Sequence, residues 1–252
     1  MDDRSVGDGA LRADHTPEAI RRRLGSQRHS YLRDFVYGAV DGTVTTFAVA
    51  AGSVGAGLRS SVVIILGVAN LVADGFSMGA GNFLATRSDS QRRERARRDE
   101  EQHIRTFPEG EREEIRQIYA VKGFSGDELE RVVEVITADR ARWIETMLSE
   151  ELGFPTNPPN PLRAAASTFI AFVCFGFVPL VAFVMRSSFP GFFAAAFTWS
   201  AVLTGVTFFG IGALKGRFVD QPWWRSGSET LAVGGVAAFL AFVVGAAIGS
   251  IV

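Results

Sequence analysis

The stretch VVIILGVANLVADGFSMGAGNFLATR, at Val62–Arg87, is long enough to span a bilayer and carries a regular series of non-aliphatic side chains. Asn70, Asp74 and Met78 are four residues apart, so they lie on one face of a helix. A carboxylate inside hydrocarbon is energetically costly, so its presence needs a reason. The sequence predicts a membrane-spanning helix with a polar stripe, which we interpret as part of an ion path.

The composition of the chain is uneven along its length. Of the 252 residues 47% are hydrophobic, but the charges form a dense block between Arg87 and Gly153, and the apolar segments that flank this block contain only isolated ionisable groups. The net charge is −1 and the arginines alternate with carboxylates, which argues against a nucleic-acid partner. The single cysteine excludes disulfides and cysteine-ligated clusters within one chain. The pattern indicates a membrane protein with a charged insert.

Five apolar runs predict five transmembrane helices, so the expected fold class is an all-α membrane protein with a helical insert between its second and third spans. The expected spans are Phe35–Leu58, Val62–Arg87, Ala164–Met185, Gly191–Leu214 and Thr230–Val252. The corresponding domains are an N-terminal segment at 1–33, spans one and two at 34–87, the insert at 88–154, a proline-rich linker at 155–163 and the last three spans at 164–252.

Basic residues predict the orientation of these spans, because cytoplasmic loops are enriched in Lys and Arg. Arg59 and Arg186 stand alone in the loops expected outside. The basic residues expected inside are Arg21, Arg22, Arg23, Arg28, Arg33, Arg163, Lys215, Arg217 and Arg225, together with the insert. The N-terminus and the insert are therefore expected in the cytoplasm, with the C-terminus on the far side.

Local signals predict the helices outside the spans. Thr16 and Pro17 are suited to the N-cap and first position of a helix, and Pro108 is suited to begin another. Gly123 is typical of a C-cap, and Ser125 with Glu128 has the spacing of a capping box. A last insert helix is expected from Ala138 to Leu152, ending at Gly153.

Glycine pairs at GxxxG spacing indicate close packing between helices. These pairs are Gly38 and Gly42, Gly75 and Gly79, and Gly245 and Gly249. Because an odd number of short spans does not readily enclose a path, we expect a homodimer with the path at its two-fold interface.

Asp41 in the first span lies at a depth similar to that of Asp74 and Met78. With a rise of about 1.5 Å per residue in a core about 30 Å thick, all three fall in its cytoplasmic half. Carboxylate oxygen with thioether sulfur suits a divalent transition metal, Fe²⁺ above all, better than Ca²⁺ or Mg²⁺. Structural hydrogen bonds for the two aspartates and simple packing for Met78 are the alternatives. Asp34, seven residues before Asp41, is either a headgroup-level charge or a residue of the mouth.

Three pairs in the insert share helix faces and could converge on a metal ion. They are Glu100 with His103, Glu111 with Glu114, and Met147 with Glu151. Glutamate is plentiful here, and solvated helix faces produce such spacings by chance, so the spacing alone leaves both interpretations open.

Four segments resemble the vacuolar iron transporter family, which comprises plant and yeast iron and manganese transporters with bacterial relatives. They are DFVYGAVDGTVTTFAVAAG at Asp34–Gly52, NLVADGFSMGAGNFLATRS at Asn70–Ser88, FPEGEREEIRQIY at Phe107–Tyr119 and TMLSEELG at Thr146–Gly153. The last three spans match in number and character alone.

The resemblance implies a dimer of five-helix protomers that exports Fe²⁺ from the cytosol in exchange for protons. It implies that Asp41 and Met78 line the translocation site. It further implies that the insert collects metal through Glu100, Glu111, Glu114, Met147 and Glu151. Mn²⁺, Zn²⁺ and Co²⁺ are further candidate ions, and no prosthetic group is expected.

Two residues depart from the expected pattern. His103 stands where a further glutamate is expected, and because a free imidazole gains a proton below about pH 6.5, metal capture would be weaker there. Asn70 places an amide where an acid is expected, so proton coupling would fall to Asp41, Asp74 or the insert.

Two other function classes remain open on sequence grounds. A membrane-anchored metal sensor or scaffold would bind metal without moving it. A ferritin-like di-iron enzyme is suggested by Glu100-x-x-His103, but that chemistry needs a second Glu-x-x-His. The host membrane is expected to be the plasma membrane in a bacterium and the vacuolar membrane in a eukaryote.

Overall fold

The structure is a computed structural model that describes residues 13, 15–25, 29–186, 188–189, 191 and 195–249. Across these residues it is helical without any strand, as the sequence predicts. The helices are α1 Pro17–Gly25, α2 Leu32–Gly55, α3 Ser60–Thr106, α4 Pro108–Val121, α5 Gly126–Thr137, α6 Arg140–Thr146, a π-helix Met147–Glu151, α7 Pro161–Gly176, α8 Val178–Met185, α9 Ala196–Phe218 and α10 Trp223–Gly249.

The chain divides into two compact units. One unit contains 90–159 together with the residues before 31, and the other contains 31–89 and 160–252. We call the first the insert unit and the second the membrane unit. Helix α3 contributes to both, because its 47 residues form one uninterrupted helix. At about 1.5 Å per residue it is about 70 Å long, more than twice the thickness of a hydrocarbon core.

Among the residues that the structure describes, four helical segments are long and apolar enough to cross a membrane. They are Ser60–Thr106, Pro161–Met185, Ala196–Phe218 and Trp223–Gly249. The chain is therefore a multi-pass integral membrane protein by length and composition. Helix α2, the expected first span, is not among them, because its apolar residues are diluted by Asp34, Asp41 and a series of threonines and glycines.

Helix α2 is enclosed by its neighbours in the membrane unit. It packs against α7, α8, α9 and α10, and nine of its residues are buried. A helix surrounded by other helices can carry more polar residues than one that faces lipid. Its low hydropathy is thus consistent with an interior position.

Glycines set the closest approaches in this unit. A Cβ on Gly42 would lie 2.3 Å from the backbone oxygen of Phe172, and one on Gly245 would lie 2.3 Å from that of Gly52. Gly75 and Gly79 pack instead against α7 near Phe169 and Phe172. The GxxxG pairs therefore serve packing within one chain.

The helix ends differ from the expected spans by several residues. The second helix continues through the charged block to Thr106 because Arg, Glu and Gln favour helix and nothing breaks it before Pro108. The third expected span is two helices, α7 and α8, separated at Phe177 shortly before Pro179. The last helix begins at Trp223, seven residues before the expected Thr230.

The first helix follows its sequence signals where it is described. The Thr16 side chain accepts a hydrogen bond of 3.3 Å from the Ala19 amide, as expected of an N-cap, and Pro17 begins α1. Predictions for 1–12, 14, 26–28 and 250–252, including Arg28 and the end of the fifth span, lie outside the described residues.

The insert unit agrees with most of its predicted boundaries. Pro108 begins α4, and Gly123 follows the helix end with a φ of 99°. Ser125 is the N-cap of α5, but its side chain makes no capping hydrogen bond, so the capping box does not form. The last helix begins at Arg140 and changes to π geometry at Met147.

Candidate metal site and polar path

An acidic group in the insert unit brings together residues from α3 and α4. Ligand atoms of Glu100, His103 and Glu111 all lie within 4.8 Å of one another. His103 Nδ1 lies 3.5 Å from Glu111 Oε1, and the carboxyl groups of Glu100 and Glu111 share a hydrogen bond. The structure thus joins the i, i+3 pair on α3 to the first turn of α4.

The two glutamates are buried while the histidine faces solvent. Glu100 is 5% exposed and Glu111 is 6% exposed, whereas the His103 side chain is 58% exposed. Oε2 of Glu100 and Oε2 of Glu111 are buried without a hydrogen-bond partner. Such orphaned oxygens cost about 1–3 kcal/mol each, and a bound cation would satisfy them.

Burial changes the protonation of this group. Desolvation, followed by the charge of Glu111, raises the pKa of Glu100 from 4.5 to about 7. Desolvation likewise raises the pKa of Glu111, with Glu114 as the next cause. Near neutral pH a proton is shared within the pair, and a divalent ion would displace it.

Two further glutamates, Glu114 and Glu151, line a cleft next to Glu100. A cleft of about 480 Å³ is lined by Arg92, Ala96, Asp99, Glu100, His103, Glu114, Glu151, Leu152 and Phe154. Desolvation, then Glu114 and Glu111, raises the pKa of Glu151. The charges of Glu100, Glu111, Glu114 and Glu151 therefore act on one another.

Several other acids of the insert unit form ion pairs with neighbouring bases. Arg116 bonds to both Glu113 and Glu130, and similar ion pairs join Arg93 to Glu145 and Lys122 to Glu150. In the part of the chain that the structure describes, no Lys or Arg lies within 4.0 Å of Glu100 or Glu111. The acidic group is thus not one more surface ion-pair network.

Met147 occupies a different environment from the acids. It is fully buried in the apolar core of the insert with Ile115, Val133, Ile136 and Trp143. It is absent from the residues that line the cleft. Glu151, at the end of the π-helix and four residues later, does line the cleft. The ligand role predicted for Met147 stays a prediction.

The membrane unit contains the predicted polar stripe on α3. Asn70, Asp74 and Met78 are each half-buried, whereas Val72 and Phe76 between them are exposed. The stripe therefore faces the interior of the unit. Met78 also packs against the apolar cluster around Phe172 and Leu180.

Residues of α2 lie opposite this stripe in antiparallel register. Asn70 Nδ2 donates to the hydroxyls of Thr45, at 3.3 Å, and Thr46, at 3.4 Å. The carboxyl groups of Asp41 and Asp74 lie close enough for their charges to interact. Asp41 thus lies opposite the stripe within one chain, whereas the sequence led us to expect it to face Asp74 and Met78 across a dimer interface.

The stripe continues one step beyond the predicted residues, to Asn82. Its side chain donates to Asp34 Oδ1 at 2.9 Å and to Thr168 Oγ1 at 2.8 Å. Sequence reasoning missed Asn82, although it stands four residues after Met78 on the same face. It also missed Thr168, which only the folded arrangement of α7 brings close.

Comparison with known proteins gives consistent matches. The model of the VIT family matches residues 32–246. A vacuolar iron transporter of Toxoplasma gondii is 32% identical over 249 residues, covering 94% of this chain and 82% of the relative. Vacuolar iron transporter 1 of Arabidopsis thaliana is 35% identical over 214 residues, covering 84% and 83%. A vacuolar iron transporter of Plasmodium falciparum is 31% identical, covering 75% and 72%.

Proposed function

The chain belongs to the VIT family, and from this premise we propose that it transports Fe²⁺ out of the cytosol in exchange for protons. The observation that carries this proposal is the pairing of Glu100 with Glu111, whose buried carboxylate oxygens lack partners. Intramembrane carboxylates at Asp41 and Asp74 support it.

Metal capture takes place in the insert unit. Glu100 and Glu111 supply carboxylate oxygen, His103 supplies imidazole nitrogen, and Glu114 and Glu151 add negative charge beside them. This donor set suits Fe²⁺, Zn²⁺, Co²⁺ and Mn²⁺. Met147 would join it only if a rearrangement of the π-helix brought its sulfur to the cleft.

Translocation takes place along the polar stripe of the membrane unit. Asp41 and Asp74 offer oxygen, and Met78 offers a polarisable sulfur that favours a transition metal over Ca²⁺ or Mg²⁺. Asn70, bonded to two threonine hydroxyls, has no carboxylate to contribute. Proton exchange therefore rests on Asp41, Asp74 or the glutamates of the insert.

The proposed topology has five spans, with α2 as the first. Cytoplasmic loops are enriched in Lys and Arg. The N-terminus and the insert therefore lie in the cytoplasm, because Arg33, the charged insert and Arg225 share one side of the membrane in this topology. A homodimer, with paths near its two-fold axis, would complete the assembly. The membrane is the plasma membrane of a bacterium or the vacuolar membrane of a eukaryote, since relatives carry the vacuolar name.

The test uses purified full-length protein in proteoliposomes that contain a pH-sensitive dye. External Fe²⁺, kept reduced, should enter and drive protons out, so the internal pH should rise. Mn²⁺, Co²⁺ and Zn²⁺ are added in parallel to rank the ions. If none of the four metals changes the internal pH and isotope uptake is also absent, the proposal that the protein transports metal is wrong.

The alternative functions make different predictions in the same assay. A sensor or scaffold would bind metal in the insert and move neither metal nor protons. A ferritin-like enzyme would oxidise Fe²⁺ with O₂, but the chain has three histidines and a single Glu-x-x-His, at Glu100 and His103. We therefore place transport first.

A further inference from the structure

Asn82 joins three helices of the membrane unit through one amide. Its Nδ2 donates to Asp34 Oδ1 on α2, at 2.9 Å, and to Thr168 Oγ1 on α7, at 2.8 Å. Its Oδ1 accepts a hydrogen bond of 3.3 Å from Thr86 on its own helix. Both ends of the amide are thus engaged.

The chemistry of the partners fixes the orientation of this amide. The Asp34 carboxylate can only accept hydrogen bonds, so the NH₂ group of Asn82 must face it. The Thr168 hydroxyl donates to the Asp34 backbone oxygen at 3.4 Å, so it accepts from the same NH₂ group. The arrangement places N–H hydrogens, and no oxygen of Asn82, in front of the carboxylate.

The two helices that Asn82 connects are themselves tightly packed. A Cβ on Gly38 of α2 would lie 2.2 Å from the Thr168 backbone oxygen, so α2 and α7 are in backbone contact at this level. Asn82 ties α3 to this pair one helical turn from Met78 and two turns from Asp74. At about 1.5 Å per residue these steps are about 6 and 12 Å.

We propose that Asn82 is a positioning residue that latches Asp34 and closes the Asp34 end of the polar stripe. This inference rests on the proposed function, because it assigns a gate to the transport path. A cation that approaches Asp34 meets the positive ends of the Asn82 N–H bonds. The amide must release Asp34 and rotate before an ion can pass, and rotation would offer the ion the amide oxygen instead.

The test measures access to the stripe by thiol chemistry. In a Cys174→Ala background, Met78→Cys places one thiol a turn from Asn82, and a positively charged water-soluble methanethiosulfonate reports its accessibility in detergent. Asn70 is unchanged in every variant, so a change in rate arises at the Asp34 end. No transport is needed for this readout.

Asn82→Ala should increase the modification rate about tenfold, the change expected when a hydrogen bond to a charged group is lost. Thr168→Val removes one partner with little change in shape and should give a smaller increase. Thr43→Val is the matched control, because Thr43 is equally buried and its hydroxyl bonds to Ala39 in its own helix. Its rate should equal that of the parent.

Exchanging the amide at position 82 with the carboxyl group at position 34 distinguishes the loss of this one hydrogen bond from a general loosening of the helix packing. Asn82→Asp alone places two carboxylates together and should speed modification. Adding Asp34→Asn recreates the hydrogen bond with donor and acceptor exchanged, and should restore the slow rate. The latch is wrong if Asn82→Ala reacts at the parental rate, if Thr43→Val accelerates as much as Thr168→Val, or if the exchange fails to slow the reaction.

The latch and the proposed function can fail separately. Metal flux with rates independent of position 82 would overturn the latch alone. Rates that depend on Asn82, Thr168 and the exchange without flux in vesicles would support the latch and overturn iron transport.

Discussion

Glu100 and Glu111 share a hydrogen bond between two helices, yet each keeps one buried carboxylate oxygen without a partner. Two acids placed together in this way repel each other when both are ionised. An arrangement that is unfavourable for the metal-free chain is a common property of binding sites. The predictions below begin from this pair.

Replacing the pair with Glu100→Gln and Glu111→Gln should weaken Fe²⁺ or Co²⁺ binding by at least about tenfold, because even outer partners of metal ligands contribute ten- to hundredfold. Anaerobic titration calorimetry of the full-length protein in detergent measures the affinity. Glu113→Gln with Glu130→Gln is the control, since it removes the same charge from exposed residues that bond to Arg116. Equal affinities in the two double variants would contradict a site at Glu100.

The insert should lose stability as the pH rises when metal is absent. Because the pKa of Glu100 is raised from 4.5 to about 7, the native state holds more protons than the unfolded state between these values. The contribution of Glu100 to stability is then greatest below pH 4.5 and falls as the pH rises from 4.5 to about 7. The change for this residue is about 3 kcal/mol.

Hydrogen exchange of residues 108–151, measured with chelator at pH 5 and pH 7.5 and corrected for intrinsic rates, checks this pH dependence. Glu100→Gln should flatten it, whereas Glu94→Gln, on an exposed position of the same helix, should leave it unchanged. A pH dependence in Glu100→Gln as steep as that of the parent would show that another group is responsible.

Asp41→Asn should reduce metal-dependent proton flux in proteoliposomes to background, because the neutral amide can neither release a proton nor balance a divalent charge. Oligomeric state, measured by light scattering, should not change. Asp220→Asn is a suitable control, since Asp220 lies in an exposed turn with a φ of 50°, which asparagine also adopts. Flux in Asp41→Asn equal to that of the control would remove Asp41 from the path.

Gly42→Ala should destabilise the membrane unit by about 1–3 kcal/mol, as overpacking does. The new methyl group would lie 2.3 Å from the Phe172 backbone oxygen, which cannot move without shifting α7. Gly210→Ala is the control, because nothing lies within 4 Å of its added Cβ. Thermal unfolding in detergent compares them, and a melting temperature for Gly42→Ala at or above the control would contradict the packing.

Sequence reasoning predicted which residues share a helix face better than it predicted the contacts between helices. The spacing of Asn70, Asp74 and Met78 was sufficient to predict a stripe, because helical periodicity is a local property. The pairs Glu100–His103 and Glu111–Glu114 were likewise visible from spacing. Their convergence was not, since it depends on how α3 and α4 pack.

The contacts of Asn82 could not be predicted from local sequence spacing. It belongs to the same periodic series as Met78, but one amide in an apolar helix has no evident partner until Asp34, 48 residues away, and Thr168, 86 residues away, are placed beside it. The low hydropathy of α2 likewise could not be explained from the sequence alone, because the enclosure of α2 by other helices is a property of the whole membrane unit.

The π-helix at Met147–Glu151 lies between an apolar pattern and an acidic pattern. A regular α-helix would keep these two patterns in the same phase. Leu152 donates to the Met147 oxygen at 3.2 Å, five residues back, so this turn holds one residue more than an α turn. The apolar spacing before it and the acidic spacing after it are therefore out of phase. Gain or loss of a single residue here would change which side chain faces the cleft while leaving the preceding core intact.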